Sequence, residues 1–89
     1  MNEGQRINLN DGTIIEDGNA GESDGYLWLY MTGYTMRQAA DMFLEQPGKT
    51  GRITFQYGEM EDVYEGYTNC VTLMIDIDGY LSVCMKMGG

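Results

Sequence analysis

The chain has 89 residues but no histidine, two cysteines, one proline and only five lysine or arginine residues. Without histidine it cannot build a Ser-His-Asp triad, a Cys-His pair or a histidine-ligated metal site. Two cysteines are too few for the disulfide frameworks that hold small secreted domains together. These absences argue against the common hydrolases and zinc enzymes, so we expect no catalytic residue, no cofactor and no bound metal.

Acidic residues number 14, which gives the chain a net charge of −9. This balance argues against direct binding of nucleic acid, because that affinity comes from cationic side chains that neutralise phosphates. It suits solubility or the binding of a basic protein partner. The chain also shows no N-terminal signal segment and no apolar run long enough to span a membrane. We therefore expect a cytoplasmic protein without membrane contact.

The strongest local prediction is a helix within residues 34–47 (YTMRQAADMFLEQP). Thr35 and Gln38 have the spacing of a capping box, which satisfies free backbone N–H groups at a helix start. Pro47 has no N–H with which to continue a helix. Apolar residues recur at the spacing of one helical stripe, which predicts that the helix covers a sheet: Met36, Ala39, Ala40, Phe43 and Leu44.

The remaining segments predict strands separated by glycine-containing turns. Residues 17–25 are rich in glycine and acids and predict a loop. We expect one α+β domain over residues 1–89, with mobile segments at 1–5 and 17–25. Its single antiparallel or mixed sheet has the order βββ-α-βββ, or βββ-α-ββ if the strand count near Gly66 differs, and the helix packs on one face. The predicted strands are 6–10, 13–16, 26–31, 52–57, a long strand 61–76 bent near Gly66, and 80–87.

Burial fixes the register of the last hairpin. Its apolar residues share one face only if the loop is Ile77-Asp78-Gly79, which pairs Ile75 with Leu81 and Leu73 with Val83. This register places Cys70 opposite Lys86 and Thr72 opposite Cys84. Diagonal Cβ atoms lie roughly 7–8 Å apart, whereas a disulfide needs about 3.5–4.5 Å. Both cysteines are therefore predicted to be free thiols.

Two short motifs are incomplete. Pro47-Gly48-Lys49-Thr50 resembles the end of a phosphate loop, but Phe43 stands where the first glycine should be. Asp76, Asp78 and Gly79 resemble the start of a calcium loop, but Met85 stands where the ligating glutamate should be. Neither motif supports a binding site.

Acids and tyrosines are densest in residues 59–67 (EMEDVYEGY). One interpretation is a charged strand edge that prevents aggregation. The other is a contact for a basic partner, in which Glu59 and Glu61, ~6.6 Å apart on one face of a strand, imitate two phosphates. Asp17, Glu22 and Asp24 would add to this charge. The candidate contact residues are Glu59, Glu61, Asp62, Tyr64, Glu65 and Tyr67.

A second candidate contact surface consists of Tyr26, Trp28 and Tyr30. They alternate with Leu27, Leu29 and Met31, which we expect to face the helix. The three aromatic residues then lie on the opposite side of the sheet. They are either buried by a second layer or exposed as a contact surface, since Tyr and Trp dominate binding hot spots.

Residues 26–43 and 52–87 resemble, in overall style, the small accessory proteins encoded by bacterial phages and prophages. Those proteins are short acidic α+β chains, rich in Tyr, Met and Gly, without an enzyme motif. The resemblance implies a protein that blocks a host defence or regulatory protein, or a minor part of a virion. Our leading hypothesis is a non-enzymatic protein that blocks a basic, nucleic-acid-binding host protein. The alternatives are a virion or tail-assembly component and an enzyme or metal binder, and the oligomeric state stays open.

Overall fold

The computed structural model describes residues 5–44 and 47–88, and within them the chain forms eight strands and two short helices. The helices α1 (Met36–Phe43) and α2 (Pro47–Thr50) lie between the fourth and fifth strands. The strands are β1 (Arg6–Asn8), β2 (Ile14–Glu16), β3 (Asn19–Ser23), β4 (Tyr26–Thr32), β5 (Arg52–Tyr57), β6 (Met60–Glu65), β7 (Asn69–Ile75) and β8 (Tyr80–Lys86).

The strands form two antiparallel sheets of four. Sheet one has the order β2-β1-β5-β6 and sheet two the order β3-β4-β8-β7. Each sheet joins one hairpin that precedes the helices to one that follows them. The predicted single sheet with a helix on one face is therefore wrong: the protein is mostly β, with one short helix of more than one turn.

The chain changes sheets at two places that the sequence analysis misjudged. The predicted long strand 61–76 is broken at Gly66, which has a φ of +86° that glycine adopts at little cost. Its two parts, β6 and β7, belong to different sheets. The predicted loop 17–25 instead contains β3, which pairs along β4 from Asn19↔Tyr30 to Ser23↔Tyr26. β3 is an edge strand that pairs with β4 alone, so it tolerates residues of low β-propensity. For this reason the glycine-rich composition of residues 17–25 predicted a loop rather than a strand.

Gly18 lies at the crossing from β2 to β3 and is buried. A Cβ atom on Gly18 would be 2.7 Å from Ile7 Cδ1 and 3.2 Å from Ile15 Cγ2, so only glycine fits without movement of the core.

Of the N-terminal segment predicted to be mobile, residues 1–4 lie outside the described part. The Gln5 carbonyl accepts a hydrogen bond from the Asp17 N–H at 3.0 Å.

Both sheets and α1 contribute to a single core. Leu27, Leu29 and Met31 are buried as predicted, but they share this core with sheet one rather than meeting a helix alone. Fifteen residues form the buried cluster: Ile7, Leu9, Ile15, Leu27, Leu29, Met31, Ala39, Met42, Phe43, Ile53, Phe55, Tyr67, Leu81, Val83 and Met85.

The start of α1 confirms the predicted capping box. The Thr35 hydroxyl accepts from the Gln38 N–H at 3.1 Å, and the Gln38 side chain accepts from the Thr35 N–H at 2.8 Å. The predicted stripe is partly wrong, since Met36 and Leu44 are exposed and Met42 is buried instead. The helix ends at Phe43, earlier than predicted; residues 45 and 46 lie outside the described part. Pro47 opens α2, a first-turn position that does not need its missing N–H.

The last hairpin has the predicted register. Ile75 pairs with Leu81 and Leu73 with Val83, and Gly79 has a φ of +85°. A bulge between Cys70 and Thr72 shifts the far end, so Cys70 lies opposite Met85 rather than Lys86. Thr72 lies opposite Cys84 as predicted, and both cysteines are free thiols.

Candidate functional site: an acidic, tyrosine-lined cleft

Strand β6 divides the predicted acidic contact between two faces. Its pairing with β5 places Glu61, Val63 and Glu65 on the outer face of sheet one, and Asp62 and Tyr64 on the inner side. Glu59 lies in the two-residue turn that joins Tyr57 to Met60. The predicted row of Glu59 and Glu61 along one strand therefore does not exist, so these two acids do not present the spacing of two phosphates.

Two acids of the outer face have a polar or basic neighbour on β5. The Gln56 side-chain amide donates to Glu61 at 3.1 Å, and Arg52 lies directly opposite Glu65. This part of β6 fits the interpretation of a charged edge strand that discourages pairing with other chains.

The last four residues of β6, from both faces of the strand, form one wall of a cleft of about 470 Å³. Glu22 reaches the cleft from β3, Tyr67 from the connection between β6 and β7, and Met87 from the segment after β8. Three carboxylates and two tyrosines thus meet where the edge of sheet one approaches the end of sheet two. The cleft is lined by Glu22, Asp62, Val63, Tyr64, Glu65, Tyr67 and Met87.

Tyrosine hydroxyl groups hold two of these carboxylates in place. The Tyr67 hydroxyl donates to Glu22, and the Tyr57 hydroxyl donates to Asp62 at 3.1 Å. The ring of Tyr64 meets that of Tyr67 edge to face, with centroids 6.5 Å apart. Tyr67 is 5% exposed, so its ring anchors the cleft to the core.

The pKa values of the tyrosines reflect these contacts. The hydrogen bond to Glu22, followed by burial, raises the pKa of Tyr67 to about 12. The hydrogen bond to Asp62 raises the pKa of Tyr57, and burial raises that of Tyr64. All three hydroxyl groups therefore remain protonated at neutral pH, and those of Tyr57 and Tyr67 donate to Asp62 and Glu22.

The side chains of the cleft suit a cationic ligand. Among the residues that line it, three are carboxylates and none is basic. Carboxylates accept from guanidinium and ammonium groups, and a tyrosine ring attracts a cation above its face. In residues 5–44 and 47–88 no three acidic or cysteine side chains converge closely enough to hold a metal ion. The spread of the carboxylates favours extended or multiple cationic groups.

The second predicted surface lies elsewhere. Tyr26, Trp28 and Tyr30 are on the outer face of sheet two, while Leu27 and Leu29 point into the core. Tyr30 is 43% exposed, and the rings of Trp28 and Tyr30 stack with centroids 6.5 Å apart. No second layer covers these aromatic residues within the described part of the chain. The two predicted contact groups therefore do not form one surface.

Most residues that line the cleft were predicted from the sequence as contact residues or as added charge, but Val63 and Met87 were not. Of the three acids expected to add charge, only Glu22 lines the cleft, while Asp17 and Asp24 occupy turns with positive φ. Met87 was missed because its position depends on the crossing from sheet one to sheet two. Tyr57 was missed as a site residue, although its alternation with Phe55 placed it on the inner side.

The incomplete motifs have structural roles. Lys49 forms ion pairs with Asp11 at 3.8 Å and with Asp41 at 3.6 Å, and it so ties α2 to the first hairpin and to α1. The Asp76 side chain accepts from the N–H groups of Asp78 and Tyr80, both at 2.9 Å. These bonds shape the last hairpin turn.

Comparison of the chain with protein-family models, with curated proteins and with solved structures gave no match. The described helices are all too short to cross a membrane.

Proposed function

We propose that this protein is a non-enzymatic binding protein whose acidic cleft receives cationic side chains of a basic protein partner. One observation carries the proposal: the cleft combines three carboxylates with tyrosine hydroxyl groups that orient two of them. Carboxylates that are already held in place lose little side-chain entropy on binding, so even a small cleft can bind cationic side chains selectively.

The cleft favours arginine over lysine. A guanidinium group can bridge two acceptors, and its plane can stack on the half-buried ring of Tyr64. The remaining negative charge of the chain would attract a basic partner over a distance and raise the rate of association. Binding is therefore expected to weaken steeply as salt is added.

We also propose a source, a cellular location and a class of partner for this protein. The resemblance to accessory proteins of phages favours a mobile element as the source and the bacterial cytoplasm as the location. There, a protein that occupies basic side chains would keep nucleic acid from reaching them. The partner is accordingly proposed to be a basic, nucleic-acid-binding host protein.

The test compares two double variants of equal net charge. Glu22→Gln with Asp62→Asn removes two of the three negative charges of the cleft, while each amide oxygen can still accept from its tyrosine. Glu16→Gln with Glu61→Gln removes the same charge from the outer face of sheet one. Each immobilised chain is exposed to bacterial lysate at low salt and eluted with high salt.

The proposal predicts that wild type and the outer-face variant capture the same basic protein and release it in salt, whereas the cleft variant does not. Circular dichroism confirms that each variant is folded. Equal capture by both double variants would refute the cleft as the site. Equal loss in both would show that total charge alone governs binding.

A further inference from the structure

The outer face of sheet two differs from the rest of the surface in its charge. The pairing of the four strands defines its members, which we call the aromatic face. None of them is acidic in a chain with 14 acids, and one is charged. They are Asn19, Gly21, Ser23, Tyr26, Trp28, Tyr30, Thr32, Asn69, Thr72, Met74, Tyr80, Ser82, Cys84 and Lys86.

The aromatic face also exposes apolar area. Met74 is 52% exposed, Tyr80 53% and Tyr30 43%. Tyr30, Ser82 and Met74 lie in one row across three adjacent strands, and Trp28 stacks on Tyr30. An exposed patch of this kind on a soluble chain marks an interaction surface, and rigid aromatic residues bind at a small entropy cost.

We infer that the aromatic face binds the aromatic face of a second copy of this chain. Two copies with a net charge of −9 repel each other wherever their acids meet. This face is where they can approach without opposing carboxylates. A basic partner, by contrast, is drawn to the acid-rich surfaces. The inference is independent of the proposed function, which uses the cleft.

Charge also selects one orientation of the pair. Lys86 lies at one end of the face, and Asp76 and Asp78 lie at the hairpin turn beyond the other end, with all three side chains exposed. Strand β8 spans seven residues between them, or roughly 20 Å. A two-fold axis across the strands places Lys86 of each copy near Asp76 and Asp78 of the other. An axis along the strands would oppose like charges.

The size of the face predicts a reversible dimer. Four strands of up to seven residues cover roughly 400 Å² in projection. A pair of such faces amounts to roughly 800 Å² in total, which is below the size of standard specific interfaces and in the range of weak or transient complexes. We expect a dissociation constant in the micromolar range, and tighter association at higher salt because salt screens the remaining repulsion. Binding through the acidic cleft has the opposite dependence on salt.

Sedimentation velocity over a micromolar concentration series tests the size of the particle. Wild type is expected to pass from monomer to dimer, and Met74→Lys is expected to weaken the dimer at least tenfold. Ile14→Lys is the matched control, since Ile14 is 50% exposed on the outer face of an edge strand of sheet one. It should leave dimerisation unchanged. A chain that stays monomeric at every concentration, or equal weakening by both variants, would overturn the inference.

Charge exchange tests the orientation without altering the apolar area. Lys86→Glu should weaken the dimer several-fold more than Arg37→Glu, which makes the same change in net charge on exposed α1. Adding Asp78→Lys to Lys86→Glu restores both the net charge and the complementary ends, so dimerisation should recover. Failure to recover, with circular dichroism showing folded protein, would overturn the proposed orientation. Loss of capture by the cleft variants leaves these results unaffected, so the two proposals fail separately.

Discussion

The two sheets have the same construction but present different outer faces. Each joins an early hairpin to a late one through antiparallel pairing of its central strands. The outer face of sheet one mixes both signs of charge, with Arg6 between Glu16 and Gln56 in one row and Arg52 opposite Glu65 in another. The outer face of sheet two carries Lys86 as its one charged residue. The net charge of the chain therefore says little about any single surface.

The largest expected effect concerns the inner and outer sides of β4. Leu29 is fully buried, so Leu29→Ala should lower the free energy of unfolding by about 2–5 kcal/mol. Tyr30 is 43% exposed, so Tyr30→Ala should cost about 1 kcal/mol through its lost stacking on Trp28. Chemical denaturation measures both values. Similar losses in the two variants would contradict the assignment of the two faces.

The two short crossings between the sheets, from β2 to β3 and from β6 to β7, should respond to alanine for different reasons. Gly18→Ala brings a Cβ atom within 2.7 Å of Ile7 and should cost about 1–3 kcal/mol by overpacking. Gly66→Ala should cost about 1–2 kcal/mol, because its φ of +86° is strained for any residue with a Cβ atom.

Gly21→Ala is the control for both variants. Gly21 lies in β3, and a Cβ atom there would have no heavy atom within 4 Å. Thermal unfolding should show little change or a slight gain in stability for this variant. A loss as large as that of Gly18→Ala would show that the spacing at the first crossing is not the cause.

The smallest expected effect concerns Tyr67 in the cleft. Tyr67→Phe removes the hydrogen bond to Glu22 but keeps the buried ring, and should cost about 1 kcal/mol at neutral pH. Because the pKa of Tyr67 rises from 10.0 to about 12 on folding, the folded state holds this proton more tightly. The corresponding stability is present below pH 10 and is lost as the pH rises towards 12.

Unfolding by denaturant at a series of pH values tests this sign. Wild type should lose free energy of unfolding across that range more steeply than Tyr67→Phe. Tyr80→Phe, on the exposed outer face of sheet two, serves as the control and should follow wild type. Equal slopes for wild type and Tyr67→Phe would refute the proposed contact with Glu22.

Local features of the fold could be predicted from the sequence. The capping box of Thr35 and Gln38 and the register of Ile75 with Leu81 depend on residues close together in the chain, whose options are few. The buried set Leu27, Leu29 and Met31 followed from alternation alone. The bulge near the start of β7 could not be predicted in this way, because one extra residue leaves the alternation of the neighbouring residues nearly intact.

The division into two sheets could not be predicted, because it depends on two short crossings. At Gly66 a single glycine can bend a strand or end it, and only the burial of both halves decides between these outcomes. At Gly18 the chain enters β3 through a segment whose composition predicts a loop. The cleft could be predicted only in part for the same reason. Asp62 and Tyr64 were identified as contact residues, but Glu22 and Met87 come close to them only because the chain crosses between the sheets at both places.

The central claim is that the cleft, rather than the total negative charge, recognises cationic side chains. The most direct test is an NMR titration of the ¹⁵N-labelled chain with an arginine tripeptide at low salt. The cleft predicts that the largest shift changes fall on Glu22, Asp62, Tyr64 and Tyr67. Little change is expected at the last hairpin turn, where Asp76 and Asp78 are also acidic. Comparable changes at that turn and at the cleft would contradict the claim.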